Sequence, residues 1–151
     1  MILKIFLQNE IIITFSITET ILWNRDNFSI LKIMNNGLFF KIIPVEDNIV
    51  FGSISGDLFL WNVLEDKLKP ILYSYHIKPI KDIISISKDY ILSYSSHEIF
   101  LWKVPSLQKK FTQKKEKEWI STISIFKEDI IFIGFYDINI YSIDPFQCIK
   151  K

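Results

Sequence analysis

Alanine is absent from this 151-residue sequence, and arginine and cysteine occur once each, at Arg25 and Cys148. A single thiol excludes an internal disulfide framework and a zinc site built from cysteines. The four glycines, Gly37, Gly52, Gly56 and Gly134, are scattered, so no glycine-rich phosphate loop is present. Only two histidines occur, His76 and His97, and their separation of 21 positions offers neither metal-ligand spacing nor, with Cys148, a Cys–His pair for nucleophilic catalysis. No run approaches the ~18 uninterrupted apolar residues of a spanning helix. Gln8, Asn9 and Glu10 interrupt the apolar opening without a small-residue cleavage site, so neither a signal peptide nor membrane insertion is expected. Eighteen basic residues face seventeen acidic ones, a net charge of +1, which excludes a global basic field or an acidic tail. These absences predict a soluble intracellular protein that is not an enzyme and holds no cofactor or metal. Nuclear and cytoplasmic locations are not distinguished.

What is abundant is apolar. Hydrophobic residues make up 49% of the chain and aromatics 15%, enough for one packed domain. Lysine outnumbers arginine 17 to 1 and isoleucine occurs 31 times, a bias toward AT-rich codons that records base composition and is discounted as a functional signal. Apolar or alternating runs of four to eight residues recur from end to end, among them Ile11 to Ile17, Leu38 to Ile43, Leu58 to Val63, Tyr90 to Tyr94, Ile99 to Val104 and Ile138 to Ile143. Polar clusters such as Asn35-Asn36-Gly37, Ser55-Gly56-Asp57 and Ser87-Lys88-Asp89 bound them, which is the pattern of an all-β chain. Leu58-Phe59-Leu60-Trp61 and Ile99-Phe100-Leu101-Trp102 are apolar at odd and even positions alike. Such strands are covered on both faces, and without helices the cover is another sheet on each side.

A repeat specifies the stacking. Leu22-Trp23-Asn24, Leu60-Trp61-Asn62, Leu101-Trp102-Lys103 and Ile140-Tyr141-Ser142 align at intervals of 38, 41 and 39 residues, giving four units of about four short strands over 1–33, 34–75, 76–113 and 114–151. These residues resemble the WD40-repeat β-propellers, whose four-stranded blades of ~40 to 45 residues end their third strand in Trp-Asp. Tyr75-His76-Ile77-Lys78-Pro79-Ile80 is similar to the Gly-His opening of that repeat, and Ser95-Ser96-His97-Glu98 to the turn that leads into its Trp strand. Ser55-Gly56 occupies the place of the family's Asp-Gly turn. No unit has Trp-Asp, and Tyr141 replaces Trp in the fourth, so the family's buried Asp-His-Ser-Trp network is expected to be incomplete in every blade. The resemblance implies a structural core of Trp23, Trp61, Trp102, Tyr141 and His76, with each large ring filling the space between adjacent blades.

Four units are about half of a usual ring. Self-closure, completion to eight blades by a second copy or by a partner's blades, and a truncated or split gene product that stays an open arc against a larger assembly are the three solutions, and the assembly or split-protein reading is the favoured one. The resemblance implies a non-catalytic scaffold for protein–protein interactions within a larger complex. Its interaction turns would fall at Ser55, Gly56 and Asp57, at Ser96, His97 and Glu98, and around Tyr136 and Asp137. The alternative partner is RNA, in a ribonucleoprotein or ribosome-biogenesis complex, through Lys109, Lys110, Lys114, Lys115 and Lys117, read as a basic loop between the third and fourth units.

Overall fold

The computed structural model describes residues 2–8, 10–37, 39–46, 48–63, 67–70, 76–103, 106, 108–114, 119–126, 129–134, 138–143 and 146–150. Strands β1 (Ile2–Gln8), β2 (Ile11–Ser16), β3 (Glu19–Asn24) and β4 (Ile30–Asn35) form the first sheet. The second holds β5 (Phe39–Val45), β6 (Asn48–Ser53), β7 (Leu58–Asn62) and β8 (Lys67–Pro70). The third holds β9 (Asp82–Ser87), β10 (Tyr90–Tyr94), β11 (Glu98–Lys103) and β12 (Gln108–Lys114). Strands β13 (Ile120–Phe126), β14 (Asp129–Gly134), β15 (Ile138–Ile143) and β16 (Phe146–Lys150) make the fourth. Every sheet is an antiparallel meander in chain order, because each turn is too short for anything but a hairpin. The arrangement is a partial β-propeller of four blades, with Trp23, Trp61, Trp102 and Tyr141 all on third strands.

Three clusters hold successive sheets together, and the alternation of each strand divides its side chains between two of them. Ile13, Phe15 and Leu22 of the first sheet pack on Ile42, Ile49, Phe51 and Trp61 of the second. Val50 and Leu58, from the second sheet's other face, meet Ile83, Ile91, Phe100 and Trp102. Leu92, Tyr94 and Ile99 then meet Ile123 and Tyr141. The third-strand rings of Trp61, Trp102 and Tyr141 therefore face back onto the sheet before them. At Gly52 the absent side chain is a matter of space: a Cβ there would lie 3.0 to 3.2 Å from methyl groups of Ile80 and Ile83. The first strands converge on the inner side, where the Lys4 and Lys41 ammoniums approach Asp82 at 3.5 and 3.9 Å. Half-exposed as they are, these ion pairs mark the geometry more than they stabilise it.

The segment from Lys109 to Lys114 was expected in a loop, but it lies in β12, the outermost strand of the third sheet, with Leu101 opposite Phe111 and Trp102 opposite Lys109. Lysines on a sheet's outer strand discourage pairing with another chain and are compatible with that place.

Candidate functional site

Among the described residues, the meander places the turns between second and third strands of the first three sheets at one end of the molecule, together with the described parts of the linkers from each sheet to the next. A serine closes three of these turns. Ser16 Oγ accepts the N–H groups of Thr18 and Glu19 at 3.2 and 3.0 Å. Ser53 Oγ accepts that of Asp57 at 2.9 Å, and Ser95 Oγ those of His97 and Glu98 at 3.4 and 3.2 Å. The linker then bonds back to the turn of the sheet it leaves: Asn36 N–H to Thr18 O at 2.8 Å, His76 N–H to Gly56 O at 2.7 Å, and Ile120 N–H to Ser96 O at 2.7 Å. Sequence reading missed this repeated joint, although Ser16, Ser53 and Ser95 precede their tryptophans by seven, eight and seven positions.

At the joint between the second and third sheets lies a buried polar chain. Trp102 Nε1 donates to Ser93 Oγ at 3.0 Å, and Ser93 Oγ lies 2.9 Å from His76 Nε2. If the serine hydroxyl donates to Nε2, the indole N–H and the hydroxyl both have acceptors and the ring proton sits on Nδ1, which is buried without a hydrogen-bond partner. Nδ1 faces the buried Glu98 carboxylate at 3.7 Å, too far for a hydrogen bond, while Glu98 Oε2 accepts the Ile77 N–H at 2.6 Å. The His76 ring stacks on Phe100 with 4.1 Å between centroids. The His-Ser-Trp part of the network thus forms, and Glu98 stands near the position of the acid without closing the last link. The first sheet keeps only the analogous Trp23 Nε1 to Thr14 Oγ1 bond, at 2.9 Å. In the second sheet Phe51 takes the place of the hydroxyl and lies against Trp61, 6.4 Å between ring centroids.

Burial first, and then the nearby Lys109 charge, hold the His76 pKa down to about 3. The folded state therefore binds fewer protons than the unfolded state at mildly acid pH. Stability from His76 is complete above about pH 6.5 and falls as the pH drops toward about 3, at a limiting slope of about 1.4 kcal/mol per unit. Between about pH 7 and about pH 5 the wild type should lose about 2 kcal/mol more than His76→Gln, measured by urea denaturation at each pH. Parallel pH profiles would contradict the neutral buried ring.

The other candidate residues divide clearly. Trp61 and Trp102 are buried between sheets, Tyr141 is buried against the third sheet, and Trp23 is half-buried. Gly56 and Glu98 are buried in the joint, whereas Ser55 is exposed and donates its hydroxyl to Asp57 Oδ2 at 2.6 Å. Ser96 and His97 are half-buried, with the His97 ring edge-on to Trp119 at 5.9 Å. Lys109 Nζ lies 4.5 Å from the Phe100 ring centroid and 5.8 Å from that of Trp102, so its charge rests on ring faces. The Lys110 ammonium donates to Gln108 Oε1 at 2.6 Å, and Lys114 closes β12. Tyr136, Asp137, Lys115 and Lys117 lie outside the described residues. Among the described residues no group of three or more His, Cys, Asp or Glu is placed to hold a metal. Among the described residues no helix is long and apolar enough to cross a membrane.

Ile17 and Ile54 in the turns, and Ile77 and Trp119 in the linkers, are large apolar residues left exposed on the same end of successive sheets, Ile77 at 66% and Trp119 at 62%. The sequence signal is an apolar residue inside an otherwise polar turn cluster.

No family model matches the sequence, and no curated protein is detectably similar to it. Solved structures are similar in fold. The computationally designed Ika8 protein superposes with a TM-score of 0.77 at 12% identity, over 99% of this chain and 48% of that one. The designed Ika4 protein gives 0.74 at 11%, over 94% and 91%. Two WD40 β-propeller proteins are also similar: U3-55K (0.70, 11% identity, 93% and 48%) and Hsv2 of Kluyveromyces lactis (0.74, 11%, 94% and 49%). This chain therefore spans about half the length of Ika8, U3-55K and Hsv2.

Proposed function

We propose that this protein is a non-catalytic WD40-like scaffold that binds other proteins within a larger complex, using the end of the molecule that carries the turns between second and third strands. The observation that supports this reading is the row Ile17, Ile54, Ile77 and Trp119, exposed and apolar on that end. Large apolar side chains left exposed on one end of successive sheets are candidates for protein contact, and an exposed tryptophan is a frequent anchor of binding energy. The polar groups nearest to it are already committed: His76, Ser93 and Trp102 to their hydrogen-bonded chain, and Glu98 to the Ile77 amide. The RNA alternative retains Lys110 as an exposed cation, while Lys109 is engaged by rings. The test compares proteins captured on immobilised wild type, Ile77→Asp, Trp119→Asp and Lys88→Glu, the last in a turn at the opposite end. The expected result is a partner retained by wild type and Lys88→Glu and weakened about tenfold or more by either aspartate. Equal capture by all four proteins would refute the assignment.

A further inference from the structure

The inner wall of the molecule is made by β1, β5, β9 and β13, and these four strands contain three charged residues in all, Lys4, Lys41 and Asp82. Strand register puts the three at one level. Each stands opposite the second-strand residue three places beyond the partner of the third-strand ring, and Thr122 fills that position in β13. The level falls within the first three residues of every inner strand, where the linkers enter, so it opens on the same end of the molecule as the turns between second and third strands.

Charge at this level is unequal. The Lys4 and Lys41 ammoniums approach a single oxygen, Asp82 Oδ1, at 3.5 and 3.9 Å, and that oxygen also accepts the Ile83 N–H at 3.0 Å. A charge-assisted bond would be about 2.7 to 2.9 Å long, so neither ammonium is locked onto the carboxylate. Lys81, the residue before Asp82, brings a third ammonium to the opening, where it donates to Ile120 O at 2.6 Å. Three cations thus stand around one carboxylate. The Lys4, Lys41 and Asp82 side chains are each about a third exposed, accessible to an incoming anion yet screened less than charges in open solvent. Beside them Phe40, which the pairing of β5 with β6 skips, is 46% exposed although a sheet packs on either side of its own.

We propose that this opening takes an acidic side chain of the protein that docks on the turn end, the Lys4 and Lys41 ammoniums exchanging Asp82 for the incoming carboxylate while Phe40 meets an apolar residue next to it. The site rests on the turn-end assignment above and gives the partner its chemistry. Charge complementarity selects the acid. The exposed ring selects a peptide over a free anion such as phosphate, which would engage the ammoniums and leave Phe40 unused.

Fluorescence anisotropy of a dye-labelled peptide carrying Leu-Glu-Glu-Leu, titrated with the 151-residue chain at low salt, tests the site. The peptide should bind, and its Leu-Gln-Gln-Leu counterpart should bind about tenfold more weakly. The double variant Lys4→Gln, Lys41→Gln should lose about tenfold in affinity, and Lys41→Gln alone part of that. Asp82→Asn should tighten binding about threefold, because the competing carboxylate is gone, whereas lysines that only brace the inner strands would give no gain. Lys88→Gln, at the opposite end, should change nothing. No binding by the wild type, equal binding of the two peptides, weaker binding by Asp82→Asn, or displacement of the peptide by equimolar inorganic phosphate would each overturn the site. In the capture experiment above, a partner kept by the double lysine variant but lost from Ile77→Asp would overturn the site and leave the turn-end assignment standing. Lysine-dependent peptide binding with capture insensitive to both aspartates would support the site and refute the apolar row.

Discussion

Gly56→Ala should destabilise the protein by about 3 kcal/mol or more, one of the two largest effects expected of a single substitution here. Two penalties coincide. The backbone at Gly56 has φ +93°, a conformation that L side chains rarely adopt, and forcing one there costs on the order of 1 to 3 kcal/mol. An added Cβ would also lie 2.1 Å from the His76 carbonyl oxygen and 3.0 Å from that of Lys78. These are backbone atoms, so no rotamer change relieves the overlap. The linker must move, and its movement breaks the His76 N–H to Gly56 O bond and shifts the ring away from Ser93. Gly37→Ala is the control: Gly37 has φ +58° with nothing within 4 Å of the added carbon, so only the conformational penalty of about 1 kcal/mol applies. Urea midpoints followed by tryptophan fluorescence separate the two. Equal losses would show that the close approach of turn and linker carries no energy.

The same glycine shows where sequence reading reaches its limit. Ser55-Gly56-Asp57 is legible as a turn because glycine between two hydrogen-bonding side chains is turn chemistry. That the turn is a joint is not legible, since its partner His76 lies 20 positions away and a backbone-to-backbone approach leaves no mark in residue type. Strands β6, β7, β10 and β11 were evident from their apolar runs, because each is covered on both faces by neighbouring sheets. Outer strands were harder. β12 contributes Lys109 and Lys110 beside Phe111, and β8 contributes Lys67 and Lys69, so composition points to loops although the backbone pairs as strand. The period of the tryptophans located the blades, since a ring wedged between sheets is needed once per blade. It could not show that Trp23 differs from Trp61 and Trp102, because that difference arises from what stands next to the first sheet.

Trp102→Ala should destabilise by about 3 to 5 kcal/mol, the range for removing a buried large side chain from a packed core. Trp102 is 1% exposed, lies edge-on to Phe100 at 5.8 Å, and belongs to the cluster joining the second and third sheets. Its loss opens a cavity that strands held on both sides by their ladders can only partly close. The indole N–H is also one end of the Trp102–Ser93–His76 chain, so the alanine variant deprives the Ser93 hydroxyl of a donor in a buried setting. Trp102→Phe separates these contributions. It keeps most of the apolar volume while removing the hydrogen bond, and its loss should be about 1 to 2 kcal/mol smaller than that of alanine. Because the serine then has only His76 as a partner, the double variant Trp102→Phe, Ser93→Ala should lose less than the sum of the two single variants. Additive losses in that cycle, read from urea midpoints, would mean that the two groups act independently and that packing alone secures the joint.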